Sequence, residues 1–476
     1  MTRAGEGRPG ALALVLHSHM PYVEGFGTWP FGEEWLWEAV ACVYLPLLEL
    51  LDGVPVTLGL TPVLCDQLEA MRGDAGERYL RFLRDIRAPI HAEDAAGLDD
   101  SGQPLLAAEV RRAASDYSRA AQAFDERGRD LMAAFAGLEG VELWTSAATH
   151  GLLPLMATDA GLRLQVATGT AAHLHRFGRW EGGFWLPECG YVPGLERELA
   201  DHGVRVFCVD QTNVSGFDHL VPVATGAGPV AMPIDWASIQ LVWNDENGYP
   251  AHGTYRNYWG RTIHDLKPWS NAGQPYEHEA ALELARTHAR DFVSRAADRL
   301  SGGGLLCCAL DTELLGHWWY EGLDWLGAVL EEADARGVRL VTVSEGIELV
   351  EPVERELAPS TWGHGKDFTT WDAPAVADLA FETRRAELRT VAALAAHGAP
   401  HGALERAARE LLAIQASDWS FMVTRDLAAD YPAKRMRLHT GALDAALAAL
   451  TDSARAPDPS LRGLAPHLDL SPLTTP

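Results

Sequence analysis

Two short stretches of this chain carry residue types that do chemistry together. The first is Trp185-Leu186-Pro187-Glu188, inside the run Gly182 to Tyr191. Its carboxylate ends an aromatic and apolar run, as on a buried strand whose last side chain emerges into a pocket. The second is the apolar run Leu305 to Leu310, followed by Asp311-Thr312-Glu313 and then Gly316-His317-Trp318-Trp319-Tyr320. Two carboxylates at strand ends, each beside tryptophans, are the parts of a sugar-cleaving site. One acid attacks or stabilises the anomeric carbon, the other shuttles the proton, and indole faces stack on sugar rings. The plainer reading makes each acid a helix N-cap, since Asp and Glu are common at helix starts. Both lie in aromatic-rich contexts with histidines nearby, which favours the chemical reading.

The elements that must position these acids follow from apolar patterning. Buried strands are expected at Ala11–Leu16, with His17-Ser18-His19 at the exit, and at Val54–Leu58, Val141–Trp144, Gly183–Leu186, Val204–Val209, Pro229–Ile234, Leu305–Leu310 and Val338–Val343. Residues 67–138 repeat Leu and Ala among Arg and Glu at three- and four-residue spacing, which predicts an all-helical insertion. Short strands alternating with helices mean a parallel sheet or barrel, with site residues at strand C-termini. Residues 243–275 are rich in Gly, Pro, Asn, Tyr and Trp and show no period, which reads as a functional loop. Residues 1–350 are therefore expected to be the catalytic unit, 351–374 a boundary, 375–453 a helical domain and 454–476 a mobile proline-rich tail.

Composition narrows the partners. A formal charge of −27 argues against nucleic acid and against an anionic membrane, and suits a neutral polymer such as a glucan. Sixteen tryptophans are many for 476 residues, and they concentrate around the His and acidic clusters. The six cysteines form no CxxC pair, so zinc-ribbon and thioredoxin readings fail; free thiols in a reducing cytoplasm are expected. No apolar run has the length of a membrane span.

Five motifs in order now carry a resemblance. They are His17-Ser18-His19-Met20-Pro21-Tyr22, Trp144 to Gly151, Trp185-Leu186-Pro187-Glu188-Cys189, Asp311 to Trp318, and Ser417-Asp418-Trp419. The chain resembles glycoside hydrolase family 57, in particular its 1,4-α-glucan branching enzymes, over nearly its whole length. The resemblance implies an α/β fold: an incomplete (β/α)7 barrel with a helical insertion and a helical C-terminal domain. It implies Glu188 as nucleophile and Asp311 as general acid/base, with no cofactor and no metal. Substrate contacts implied by it are His17, His19, His150, Trp185, His317, Trp318, Trp362, Asp418 and Trp419. The family's mobile loop over the site matches residues 243–275, with Tyr249 at the tip and Arg261 and Gly273 on substrate positions. The region between Tyr255 and Tyr276 is shorter than in those branching enzymes.

Retaining chemistry on these two acids would form a covalent glucosyl-enzyme and pass it to a glucan 6-hydroxyl. Glu313 is the rival acid, two residues on and on the same face of an extended strand; the resemblance gives it a structural role. His17 and His19 also share one face. Paired histidines with an Asp mark metal-dependent deacetylases on related barrels, so a sugar contact, a metal ligand and a satisfied core histidine all stay open for them. A 4-α-glucanotransferase, an α-amylase-type hydrolase, a polysaccharide deacetylase and a non-catalytic glucan-binding protein are the competing functions.

Overall fold

In a computed structural model, residues 10–244, 246–397, 402–450 and 463–474 are described. Ten strands are present among them: β1 Gly10–Ser18, β2 Thr57–Leu60, β3 Glu142–Ser146, β4 Gly183–Trp185, β5 Val206–Val209, β6 Val223–Ala224, β7 Val230–Pro233, β8 Gly304–Asp311, β9 Leu340–Val341 and β10 Val353–Glu354. Seven of them run parallel in the order β7-β5-β4-β3-β2-β1-β8. The sheet curls until its ends approach, where the Asp235 amide donates to the Cys307 carbonyl at 2.8 Å. This is the expected incomplete (β/α)7 barrel. The remaining short strands are trim: β6 lies antiparallel on β7, β10 extends β6, and β9 flanks β1.

The barrel strands read as unbroken apolar runs because both faces are covered. Ala11 to Leu16 are all buried, as are Leu305 to Leu310. Register then decides the site. His17 on β1 pairs with Asp311 on β8 and with Gly59 on β2, and Ser146 on β3 pairs with Trp185 on β4. All of these are strand C-terminal ends. At the β3–β4 seam, a Cβ at Gly183 would stand 2.0 Å from the Trp144 indole nitrogen, so no other residue fits there. The expected strand at 338–343 shrinks to two residues because Thr342 caps the next helix, Val343–Leu349, in a capping box with Glu345.

Helices from Pro62–Ala70 to Leu131–Ala136 fill the interval between β2 and β3, where the helical insertion was expected. The helices Ala377–His397, Gly402–Ile414, Asp418–Thr424 and Tyr431–Ala449 form the C-terminal region. Their core includes Leu411, Leu412, Trp419 and Met436, and it merges with Tyr22, Val63, Ala148 and Leu164 of the barrel side. No helix among the described residues is long and apolar enough to cross a membrane.

One expectation changes here. The last residues are not all a loose tail: Leu464, Ala465, Leu470 and Leu473 are buried, and the Ala465 amide donates to Asp66 at 2.7 Å. Burying those side chains is worth about 1.5–3 kcal/mol each for the leucines, which sequence pattern alone undervalued. Residues 454–462 lie outside the described residues. The segment 243–275 is anchored at Arg256. The Arg256 guanidinium lies between the Tyr320 and Tyr276 rings, 3.6 and 4.8 Å from their centroids, and pairs with Glu109 of the insertion.

Candidate active site

Glu188 stands just past β4, where the chain turns through a short 3-10 segment, Pro187–Cys189. Its φ of 60° and that of Cys189 at 49° are left-handed, an uncommon conformation for residues with a Cβ, held by the surrounding packing. The turn aims the carboxylate into the barrel mouth. Trp362 Nε1 donates to Oε2 at 3.0 Å, and Ser417 Oγ donates to Oε1 at 2.8 Å. The Trp362 amide also donates to the Glu188 carbonyl at 2.9 Å, so one residue holds both ends of Glu188. Burial pushes the Glu188 carboxyl up, the two donors pull it back, Asp418 adds upward pressure and His19 opposes it.

Asp311 ends β8 across the mouth. No hydrogen bond to its carboxyl is made by the described residues, in contrast to Glu188. Burial first, then the charges of Glu313, Glu188 and Asp418, hold its pKa well above the ordinary carboxylate range. Both carboxyls are thus raised, Asp311 further than Glu188, and a difference in proton affinity is what separates an acid from a nucleophile. Glu313 is occupied otherwise. Its Oε1 accepts from the Tyr44 hydroxyl in a short hydrogen bond and from the His19 amide at 3.1 Å. Burial raises it to about 7 against those donors. A side chain already tied to Tyr44 and the β1 exit is poorly placed to serve as the moving acid.

Three histidines form the floor. His17 stacks on Trp185 with ring centroids 4.5 Å apart, and His19 stacks on His150 at 4.1 Å. Burial and the neighbouring His19 hold His17 well below the ordinary imidazole value; burial, His19 and His17 do the same to His150. Burial works against charge on His19, but Asp418, with Glu313 and Glu188, outweighs it and raises that residue. His19 Nε2 lies 3.0 Å from Asp418, and its Nδ1 lies 3.1 Å from Thr61 Oγ1. His19, His150 and Asp418 bring possible metal-ligand atoms within 4.8 Å of one another. The geometry does not suit a chelate. The two rings are stacked, only 21° from parallel, so their in-plane lone pairs cannot converge on one ion at bonding distance. All four ring nitrogens already face partners, Asp418, Thr61, His17 and Ser417.

The outer wall is aromatic. Trp362 packs on Trp185 at 4.9 Å and on the half-exposed Trp243 at 6.3 Å. Beyond Asp311, Trp318 packs on Tyr258 at 4.6 Å, and Trp259 beside it is 72% exposed. His317 faces the Tyr258 hydroxyl at 3.5 Å; burial, Lys267 and Arg261 lower it to about 3.

Of the expected site residues, then, His17, His19, His150, Trp185, Glu188, Asp311, Trp362 and Asp418 meet at the mouth of the barrel, with His317 and Trp318 on the adjoining rim. Four others stand elsewhere. Tyr249 is buried rather than at a loop tip: it stacks on His288 at 4.4 Å and donates to Asp291 at 2.7 Å, both on the helix His278–Arg299. Trp419 is 1% exposed in the helical core, donating to the Ala413 carbonyl at 2.8 Å. Arg261 is spent on Asp265 and the Tyr258 carbonyl. Gly273 closes a turn, with a φ of 73° that suits glycine, by donating to the Ser270 carbonyl. Sequence reasoning missed Ser417, Tyr44, Tyr258 and Trp243. Ser417 was within reach, since it precedes Asp418 in the same motif; Tyr44 sits in an apolar π-helical stretch, Val40–Tyr44, that carries no chemical signal.

The family model of glycosyl hydrolase family 57 matches residues 13–359. The chain belongs to glycosyl hydrolase family 57. A second model, the C-terminal region of 1,4-alpha-glucan branching enzymes, matches residues 382–465. A Mycobacterium tuberculosis protein named "Probable 1,4-alpha-glucan branching enzyme" is 34% identical, the match covering 91% of each chain. The 1,4-alpha-glucan branching enzyme of Thermococcus kodakarensis is 32% identical over 90% of this chain and 72% of its own. The crystal structure of the family 57 branching enzyme of Pyrococcus horikoshii superposes with a TM-score of 0.91 at 29% identity, covering 98% of this chain and 96% of that one. In this family 57 member the resemblance therefore extends from the barrel through the helical region that supplies Ser417 and Asp418.

Proposed function

We infer that this family 57 protein is a retaining 1,4-α-glucan branching enzyme. The observation that carries the assignment of roles is the asymmetry of the two acids: Glu188 holds two hydrogen-bond donors, and Asp311 holds none among the described residues while facing three other carboxyls. Glu188 stays the anion and Asp311 keeps the proton. Glu188 attacks the anomeric carbon of an α-1,4-linked glucose as Asp311 gives its proton to the departing 4-oxygen. A glucosyl ester forms. Asp311, now a carboxylate, takes the proton of an acceptor 6-hydroxyl as that oxygen displaces Glu188, and an α-1,6 branch results.

His19 and Asp418 present a charged pair to sugar hydroxyls, and His17 and His150 line the buried side. Trp185 is a wall behind His17 rather than a stacking face, since it is fully buried. Trp362, Trp243 and Trp318 are the accessible aromatic surfaces for chain on either side. A glycogen-type polymer in a reducing cytoplasm is the setting this reading assigns, supported by six cysteines that are all unpaired. Incubation with amylose, followed by debranching and chain-length profiling, tests the activity. New reducing ends without new branches would make the protein a hydrolase, and lengthened linear chains would make it a 4-α-glucanotransferase.

A further inference from the structure

Ser417 comes from outside the barrel, yet it touches the nucleophile. It is held there from several directions. Its amide donates to the His150 carbonyl at 3.2 Å, and Ala416 pairs with Gly151 in an antiparallel bridge. Behind it, Gln415 bonds Gln165 at 3.0 Å and Glu387 at 3.0 Å, all buried. Four residues then form a line: His17 Nε2 to His150 Nε2 at 3.0 Å, His150 Nδ1 to Ser417 Oγ at 3.0 Å, and Ser417 Oγ to Glu188 Oε1 at 2.8 Å.

Only one arrangement of protons fits this line when Glu188 is ionised. The carboxylate can only accept, so the Ser417 hydroxyl donates to it. Ser417 Oγ must then accept from His150 Nδ1–H. His150 Nε2 is left with its lone pair and accepts from His17 Nε2–H. His17 Nδ1 is consequently bare, and it is a buried ring nitrogen with no partner among the described residues. Protonating His150 at Nε2 would set two N–H groups against each other, and protonating His17 at Nδ1 would bury an N–H with no acceptor among the described residues.

We propose that Ser417 is a positioning residue for the nucleophile, oriented by His150 and His17 into a one-way donor chain that ends on Glu188. The inference rests on the nucleophile role of Glu188. It ties catalysis to seating of the C-terminal region, because the last donor is carried by the 415–417 segment rather than by the barrel. As the glucosyl ester breaks down, the same hydroxyl receives the returning carboxylate charge. Other charged or titratable groups also face Glu188: His150 Nδ1 at 3.6 Å, His19 just past β1, Asp311 of β8 and Asp418.

The test compares full-length Ser417→Ala, Ser417→Thr, Ser417→Cys and Glu188→Gln on amylose, reading kcat, KM and the pH profile of kcat/KM. Ser417→Ala should lower kcat about tenfold to a hundredfold with KM nearly unchanged. The acid limb should rise by about one pH unit, because a donor to the charged form of Glu188 is lost. Ser417→Thr keeps the hydroxyl and should bring the limb back. His150→Phe should raise the limb by less, and should not move it in the Ser417→Ala background. If Ser417→Ala fails to fold, Ser417→Cys, a weaker donor, is read in the same way. A limb that stays put in Ser417→Ala, or stays displaced in Ser417→Thr, overturns the proposal, as does a His150→Phe shift that persists without Ser417. An active Glu188→Gln would instead remove the nucleophile assignment itself, whereas an inactive one beside an unmoved Ser417→Ala limb removes only the donor chain.

Discussion

The two halves of this site are built on opposite principles. Around Glu188 the carboxylate is held by a connected set of donors: Trp362 and Ser417 on the carboxylate, His150 and His17 behind Ser417, and Trp185 packed flat on His17. Around Asp311 the donors are absent among the described residues, and beyond it lie partly exposed rings, Trp318 and Trp259, with Tyr258 behind them. The first half has one geometry available to it, which suits bond breaking at a fixed carbon. The second half offers stacking surface without a fixed partner, which suits an acceptor whose position along a polymer varies. On the proposed function, chemistry would be fixed on one side and the choice between water and sugar made on the other.

The largest effect should come from removing the anchor of the ordered half. Glu188→Gln keeps size and can still accept a hydrogen bond, but it cannot form the ester. Turnover on amylose should fall by about three orders of magnitude or more, with binding retained. A variant that kept a sizeable part of wild-type turnover would erase the distinction between the halves.

Asp311→Ala comes next. Its loss should be severe on amylose and milder on a glucoside with a good leaving group, which needs no proton at the first step. Azide should then intercept the ester and give a glycosyl azide of retained configuration. Rescue in Glu313→Ala instead would move the acid role to the side chain that Tyr44 now occupies. The raised proton affinity of Asp311 also makes a stability prediction. Its folded pKa lies above the unfolded one, so its contribution is fully present below the unfolded pKa and is lost as pH rises towards the folded pKa. Asp311→Asn should therefore flatten the fall in melting temperature between mildly acidic and neutral pH. An identical fall in both proteins would show that Asp311 is not held in this way.

The two halves were unequally legible in the sequence. Glu188, Asp311 and the histidines stood out because each ends a buried apolar run, and strand register does the rest: His17 pairs with Asp311 without any further information. The barrel was legible for the same reason, down to strand positions within a few residues. What escaped were contacts between distant segments. Trp419 shares a motif with Asp418, but the start of the helix Asp418–Thr424 turns one towards His19 and the other into the helical core. Tyr249 sits in a segment with the composition of a lid, and nothing local reveals that Asp291 and His288 hold it down. Leu470 and Leu473 look like tail until the helix Asp159–Phe177 is found beneath their segment.

A middle-sized effect belongs to the open half. Trp318→Ala should leave cleavage of amylose measurable and lower the ratio of new branches to new reducing ends by several-fold, since one stacked sugar is worth about 1 kcal/mol. Trp259→Ala should act in the same direction and more weakly. Unchanged ratios in both would place acceptor selection against Trp362 and Trp243 instead.

The smallest effect on partition should come from Tyr249, and it separates composition from position. A tyrosine flanked by Gly248 and Pro250 in an irregular segment is what a lid over a covalent intermediate would carry. Here its ring is packed between His288 and Trp325, and its hydroxyl is engaged by Asp291. Tyr249→Phe removes only the hydroxyl and leaves the ring in place. The cost should be about 1–2 kcal/mol of stability, from a lost hydrogen bond to a charged acceptor. The ratio of branches to reducing ends should not change, because, among the described residues, its partners Asp291, His288 and Trp325 make no hydrogen bond or ring contact with the acids. Tyr249→Ala should destabilise further by opening a cavity against Trp325, with the same product ratio among molecules that remain folded. A shift towards hydrolysis in Tyr249→Phe at unchanged stability would mean that this segment leaves its seat on the helix during turnover. The open half would then have a moving part, and the acceptor would be chosen by closure rather than by stacking.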